Sequence, residues 1–114
     1  MCVQFWIHRK TELIAAELNA IVDEYFEYQS HVFPRYLAPV AVEQGGKRVL
    51  RPMAFGMIPF FEKNEKPKKV FHNARAETLD EKVTFRNAFK TSRCLVPLNG
   101  FFEYVPGENG KKKV

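Results

Sequence analysis

The chain has 114 residues, of which 46% are hydrophobic and 27% are charged. This composition is typical of one small globular domain and excludes a disordered or fibrous protein. The net charge of +5 includes the three lysines Lys111, Lys112 and Lys113, so charge alone is a weak argument for a nucleic-acid partner. No apolar run approaches the ~20 residues that a membrane-spanning helix needs, and no secretory signal pattern is visible. The eleven Phe, four Tyr and one Trp predict a core dominated by aromatic packing.

The first half of the chain predicts a strand, a helix and then more strands. Val3 to Ile7 is β-branched and aromatic, as strands are. Thr11 can cap a helix, and apolar residues then recur at helical spacing up to Phe26. Prolines make the segment "FPRYLAPVAV" extended. Gly45-Gly46 predicts a turn, followed by one or two strands broken at Pro52 and Gly56.

The second half predicts a polar loop, a short helix and a hairpin. The basic stretch Lys63 to Lys69 is interpreted as a solvated loop, with a phosphate-attracting rim as the alternative. A helix is expected to begin at Thr84, with Phe85 and Phe89 one turn apart. The Asn99-Gly100 pair between two apolar runs predicts a β-hairpin. "PGENG" predicts a further turn and "KKKV" the first residues of its return strand, so we expect 1–114 to be the N-terminal portion of a larger domain.

Two cysteines, Cys2 and Cys94, stand in the chain, without a Cys/His cluster at zinc spacing. We therefore expect no disulfide framework, metal or cofactor, and a reducing, cytoplasmic compartment. Cys94 is predicted to be a buried small residue. Cys2 has two interpretations. It is either an apolar residue at the start of a buried strand or, once Met1 is removed, an N-terminal 1,2-aminothiol able to condense with an aldehyde.

Polar residues in two other segments also have open interpretations. Alternation places Glu103 on an apolar face with Phe101, where a carboxylate is suited to proton transfer; alternatively, the strand is an edge and Glu103 points to water. In "FHNARAETL", an extended chain would place Asn73, Arg75 and Glu77 on one face, able to hold an amine or sugar oxygen and a phosphate. The alternative is a solvated connection between a strand and a helix. The three histidines, at 8, 31 and 72, are given no catalytic role.

The motifs "MC", "APV", "FGMIP", "NARAET" and "RCLVPLNGFFEY" occur in this order from Cys2 to Tyr104. Together they resemble the SOS-response-associated peptidase (SRAP) family. The resemblance implies a compact α+β domain with a mainly antiparallel, β-barrel-like core and flanking helices. It also implies a monomeric sensor of abasic sites in single-stranded DNA, nucleoid-associated in a bacterium. Such a protein removes its own Met1 and joins the following cysteine to the sugar aldehyde as a thiazolidine.

The resemblance assigns roles to seven residues. It implies that Cys2 is the nucleophile, that Asn73 positions the amine and the sugar, and that Glu103 transfers protons. The implied DNA contacts are Arg75, Phe55, Tyr104 and Pro39. Phe55 and Tyr104 stand where the family usually has tryptophan, and both can still stack on a base.

Departures from the family pattern define the alternatives. Val3 and Gln4 replace the usual Gly-Arg, which removes a phosphate contact, while Asn99 for aspartate is a mild change. The family's catalytic histidine lies in a Gly-His motif beyond Val114, so without it sugar ring opening is expected to be impaired. A non-catalytic single-stranded nucleic-acid-binding module is the second hypothesis. Proteolysis of other proteins ranks third, because no peptide cleft with an oxyanion hole is evident.

Overall fold

The computed structural model describes residues 3–59, 62 and 69–103, and the backbone of 105–106 and 112–113. Within these residues the chain forms a small α+β fold of two helices and short strands in antiparallel and mixed sheets. The elements are β1 Phe5–Trp6, α1 Thr11–Leu18, β2 Ile21–Val22, β3 His31–Val32, β4 Leu37–Gln44, β5 Lys47–Ala54, α2 Arg86–Thr91, β6 Gly100–Phe101, β7 Val105–Pro106 and β8 Lys112–Lys113. The expected barrel-like core is not seen as a closed barrel in this part of the chain, because the strands fall into three separate sheets.

The first sheet has the order β3-β1-β6 and is antiparallel throughout. Phe5 pairs with Val32 and Phe101, whereas Trp6 pairs with His31 and Gly100. Because strand side chains alternate between faces, Phe5 and Val32 share the face that packs into the core. Trp6, His31 and Gly100 share the opposite face. The predicted strand at the start of the chain is therefore confirmed, and it lies in the centre of this sheet.

The second sheet is built on a hairpin whose turn is the one predicted at Gly45-Gly46. β4 and β5 pair antiparallel from Leu37↔Ala54 to Gln44↔Lys47, so the two glycines are the whole loop. Their φ angles of 59° and 77° are those of a type I′ turn, which needs positive φ at both positions. β2 adds to the other edge of β5 in parallel.

Proline does not interrupt β5, contrary to expectation. Pro52 lies directly opposite Pro39 in the register. The backbone N–H of Ala41, two residues after Pro39, points away from β5 and donates to the carbonyl of Leu95 at 2.9 Å. Backbone N–H directions alternate along a strand, so Pro39 occupies a position whose missing N–H the β4–β5 ladder does not use. The strand instead ends near Gly56, which has a φ of 100°.

The first helix is shorter than predicted because it ends at Leu18. Asn19 follows with a φ of 51°, the left-handed conformation that asparagine tolerates better than most residues. The Asn19 N–H donates to Ala16 O and the Ala20 N–H to Ala15 O at 2.8 Å, which is the Schellman arrangement of a helix C-terminus. The helical spacing seen beyond this point was misleading: Ile21 begins β2 instead of continuing an apolar helix face. Thr11 is the first helical residue and no side-chain cap is formed.

The hairpin predicted around Asn99-Gly100 is wrong, because its two apolar runs pair with different strands. Leu95 bridges Ala41 of β4, while β6 pairs with β1. The Asn99 side chain accepts a hydrogen bond from the His8 N–H at 2.8 Å. Gly100 is needed for space, since a β carbon there would lie 2.1 Å from the Trp6 ring. The Asn99-Gly100 pair, which predicted a turn, thus marks a position where two strands approach each other closely.

The core lies between α1, the inner face of the first sheet and the β4–β5 hairpin. Apart from Phe5, its members are small or medium apolar side chains: Ile7, Ile14, Ala15, Val32, Ala38, Ala41 and Leu50. Most of the aromatic residues lie outside it, so the expected aromatic core is confirmed only at Phe5 among these eight. No helix in the described ranges is long and apolar enough to cross a membrane.

The last predicted elements are confirmed. A helix, α2, follows the connection after Phe71. β7 and β8 pair antiparallel through Val105↔Lys113 and Pro106↔Lys112, as the "PGENG" and "KKKV" motifs suggested. The turn itself and the Lys-rich loop at 63–68 lie outside the described residues.

Candidate functional site

Asn73 and Phe55 line one cavity of about 280 Å³. Met57 and Phe71 build it by pairing across the two segments, with N–H to O distances of 2.6 and 2.8 Å. The backbone of Phe55 is held in turn by the residue before β4, because its N–H donates to Tyr36 O at 2.9 Å. Two of the predicted site residues therefore share a cavity whose walls are fixed by backbone hydrogen bonds.

Gly56 allows this close approach of the two segments. Its φ of 100° is strained for any L side chain, and a β carbon would lie 2.7 Å from Val70 Cγ1. Glycine alone meets both conditions without shifting its neighbours. The glycine of "FGMIP" thus positions Phe55 against the segment that contains Asn73.

His72 lies on the wall of the same cavity and carries a buried polar atom. Its ring packs edge-on against Phe55, with centroids 6.3 Å apart. The Nδ1 atom has no hydrogen-bond partner among the described residues, and an unpaired buried nitrogen is costly, by about 1–3 kcal/mol. A bound molecule with a polar group could satisfy this atom.

A second, more apolar cavity of about 360 Å³ lies on the other side of Phe55 and His72. Its lining includes Phe5, Val40, Met53, Val96 and Leu98. Pro39 stands in β4 next to two of the residues that line this cavity and is itself fully buried. A direct contact with DNA requires an accessible side chain, and the side chain of Pro39 is buried in this part of the fold.

Arg75 and Glu77 lie in a connection instead of an extended strand. The chain is irregular from 72 to 75 and turns from 76 onward, with Thr78 N–H donating to Arg75 O at 3.2 Å. Both side chains are exposed. The solvated connection, which was the alternative interpretation, is therefore what this segment forms. Arg75 remains close in sequence to Asn73 and accessible to a phosphate.

Glu103 is exposed, so it does not occupy the buried apolar face that strand alternation suggested. β6 ends at Phe101, and the contact with the start of the chain continues at Phe102, whose N–H donates to Gln4 O at 3.1 Å. This bond holds the backbone of Phe102, the residue before Glu103, against the backbone of Gln4. Cys2 and Tyr104 lie outside the described residues.

A row of aromatic rings covers the outer face of the first sheet, and the sequence did not reveal it. His31 is stacked between Phe33 and Phe102, with centroid distances of 4.7 and 5.1 Å. Trp6 continues the row beyond Phe102 at 5.0 Å. The His31 Nε2 atom lies 2.6 Å from the Gln4 side-chain oxygen. His31 and Gln4 could have been identified only from the strand register, because 27 residues separate them.

Cys94 is exposed, which contradicts the expected burial. Neighbouring apolar groups still remove part of its hydration, and this desolvation raises the pKa of the Cys94 thiol. A raised pKa lowers the thiolate fraction at neutral pH, and the thiolate is the nucleophile. Cys94 is therefore poorly suited to be a second reactive thiol.

We expect Cys94 to be alkylated slowly by iodoacetamide near neutral pH. The rate should rise with pH, with its midpoint above that of a free cysteine because burial disfavours the charged form. Mass spectrometry of a Cys2→Ser variant would follow this single thiol, with a cysteine-containing peptide as control. A midpoint at or below the value of the free peptide would contradict the expectation.

One further groove on the surface is lined by none of the predicted site residues. This open groove of about 620 Å³ lies between residues 7–12 and 25–28. Arg9 at its edge is paired with Glu17, and the Tyr28 hydroxyl donates to the Arg9 carbonyl. Within the described ranges, no group of three or more His, Cys, Asp or Glu residues could hold a metal ion.

The chain is similar to several known proteins. "Abasic site processing protein YoaM" of Bacillus subtilis is 31% identical over 109 residues, which cover 91% of this chain and 47% of that protein. "Abasic site processing protein HMCES" of Xenopus tropicalis is 36% identical over 62 residues, covering 51% of this chain and 18% of that protein. A crystal structure of a Bordetella bronchiseptica protein matches with a TM-score of 0.72 at 27% identity, covering 97% of this chain and 54% of that one.

The chain thus spans about half the length of the Bacillus relative and of the Bordetella protein. The family model of the SOS response associated peptidase (SRAP) matches residues 1–114, which agrees with the motifs from Cys2 to Tyr104. The chain therefore belongs to the SRAP family.

Proposed function

We propose that the protein captures abasic sites in single-stranded DNA through Cys2. The names of its relatives, abasic site processing proteins, support the substrate. An abasic sugar in its ring-opened form carries an aldehyde, and an N-terminal cysteine is a group that binds an aldehyde covalently. The proposal includes hydrolytic removal of Met1, because the amine of Cys2 is free only after that step.

The covalent step is a condensation that releases one water. The Cys2 amine adds to the aldehyde carbon, the carbonyl oxygen leaves as water, and a C=N bond forms. The thiol sulfur then adds to the same carbon while its proton passes to the nitrogen, which closes the thiazolidine ring. No oxidant or reductant is needed. Proton transfers are the demanding part, so a nearby acid or base should accelerate the reaction.

The observation that carries this proposal is the hydrogen bond between Phe102 N–H and Gln4 O. Cys2 is two residues from Gln4, and two residues of extended chain span at most ~7 Å. Glu103 follows Phe102 directly. Chain connectivity therefore limits how far the Cys2 backbone can lie from that of Glu103, which supports Glu103 as the group that moves protons in the reaction.

Asn73 is proposed to orient the amine and the sugar from the wall of the cavity next to Phe55. An amide side chain both donates and accepts hydrogen bonds, which suits a position between an amine and a sugar hydroxyl. Arg75, exposed two residues later, is proposed to bind a phosphate. The cavity contains the unpartnered His72 Nδ1, which a sugar hydroxyl could satisfy.

The test is a crosslinking assay with the full-length protein. Single-stranded DNA with one uracil is treated with uracil-DNA glycosylase, incubated with the protein and run on a denaturing gel. We expect a shifted covalent band with the wild type and with Cys94→Ala, and none with Cys2→Ala. Intact mass should show that Met1 has been removed.

Two results would contradict the proposal: no shifted band with the full-length protein, or a band that persists in Cys2→Ala. If Met1 is retained and binding is reversible and sensitive to salt, the protein is a non-catalytic single-stranded nucleic-acid-binding module. The altered start "MCVQ" is the feature that favours this second function.

A further inference from the structure

The segment Phe33 to Tyr36 forms a tight turn with arginine at a position that usually requires glycine. The Tyr36 N–H donates to Phe33 O at 3.0 Å, Pro34 is the second residue, and Arg35 has a φ of 79°. These features match a type II turn, whose third residue has positive φ and is normally glycine or asparagine. A β carbon at that position is sterically strained.

The turn itself does not need the arginine side chain. The Arg35 backbone N–H donates to Phe55 O at 2.7 Å, a bond that any residue except proline could make. The guanidinium is exposed, and it forms no ion pair with a carboxylate among the residues that the structure describes. A residue in a strained conformation, with an exposed side chain that has no ion pair in the described part of the fold, is a feature that functional sites commonly contain.

Two accessible aromatic rings flank Arg35. Phe33 and Tyr36 have ring centroids 5.5 Å apart, and their exposed fractions are 39% and 43%. Phe33 also stacks on His31, so this pair is one end of the aromatic row that continues through Phe102 to Trp6. The row therefore extends from this turn to Trp6 in β1, and one of its members, Phe102, directly precedes Glu103.

We propose that Phe33, Arg35 and Tyr36 form a binding surface for single-stranded DNA next to the reacting site. A base would stack on the exposed rings, and the Arg35 guanidinium would bind the adjoining phosphate. Aromatic rings with an exposed cation between them match the flat bases and the negative backbone of a single strand, and the net charge of +5 has the sign that this partner requires. The choice of partner rests on the proposed function.

The test measures reversible binding, so that it is independent of crosslinking. The Cys2→Ala chain is titrated into a fluorescent deoxythymidine oligomer of about 12 nucleotides that has no abasic site. We expect Phe33→Ala and Tyr36→Ala each to weaken binding by about 10-fold. Arg35→Gly should weaken binding and reduce the slope of log K against log salt by about 0.7, the share of one phosphate contact on a single strand.

Stability separates this role from a structural one. Because glycine and asparagine suit positive φ, Arg35→Gly and Arg35→Asn should have melting temperatures equal to or above that of the parent chain. A merely structural arginine would not give weaker binding together with unchanged or higher stability. Phe33→Leu keeps apolar volume without the ring, so it should remain folded and still lose most of the stacking contribution.

Trp6, the one tryptophan of the chain, reports DNA binding through its fluorescence.

Matched controls remove the same groups elsewhere. Lys47→Ala deletes one positive charge at the opposite end of the β4–β5 hairpin, roughly 23 Å along the strands from Leu37. Tyr25→Ala deletes an aromatic ring that is 74% exposed outside the row. Tyr25→Ala should change the affinity for DNA by no more than about 2-fold. The same holds for Lys47→Ala, except for the salt-dependent long-range attraction that is lost with its one positive charge. Affinities of the Phe33, Tyr36 and Arg35 variants equal to those of the controls would overturn the inference, whether or not Cys2 forms a crosslink.

Discussion

Leu50→Ala is expected to lower the free energy of unfolding by about 2–5 kcal/mol. Leu50 has no exposed surface and lies in β5, the central strand of its sheet, opposite Ala41 on one side and Val22 on the other. Its side chain belongs to the buried cluster that also contains Ile14 and Ala15 of α1, and a domain of this size has only about 5–15 kcal/mol of stability in total. Urea denaturation followed by circular dichroism would measure the loss.

Met53→Ala is the matched control, because the residue lies in the same strand but is 38% exposed. The substitution should lower the free energy of unfolding by less than about 1 kcal/mol. Equal losses at the two positions would show that β5 does not bury Leu50 preferentially, which would contradict the strand register described above.

Local signals in the sequence predicted the elements whose partners are close along the chain. The Gly45-Gly46 pair predicts a turn. In the structure both glycines adopt positive φ in a two-residue loop, and this loop sets the register of β4 and β5. The end of α1 was missed for the opposite reason. Ile21 and Val22 fit a helical spacing, but Asn19 takes a left-handed conformation and the chain then joins a strand that lies far ahead in sequence.

The candidate site was predicted in part, and mostly from family motifs. Spacing alone left Asn73 and Glu103 with two interpretations each, because burial depends on contacts between distant segments. The bridge between Met57 and Phe71 places Asn73 on a cavity wall. Neither His31 nor Arg35 could be identified from the sequence. The pairing of β1 with β3 brings His31 into line with the other rings. Arg35 has a positive φ, a conformation that an arginine in the sequence does not indicate.

Asn73→Ala is expected to slow covalent capture of an abasic site by about 100-fold, the size of effect produced when a reacting group loses its positioning. The residue lies in a segment held by the backbone bonds between Met57 and Phe71. Single-turnover crosslinking with excess full-length protein would measure the rate, and noncovalent affinity should change far less.

Asn87→Ala is the control for this substitution, since Asn87 is an exposed amide in α2 away from the cavity. It should crosslink at the wild-type rate. Asn73→Asp keeps the shape of the side chain but loses the N–H donors, so it separates orientation of the amine from simple filling of the cavity. If Asn73→Ala folds normally and crosslinks as fast as Asn87→Ala, the cavity beside Phe55 is not where the sugar reacts, and Glu103 with the aromatic row would have to hold it alone.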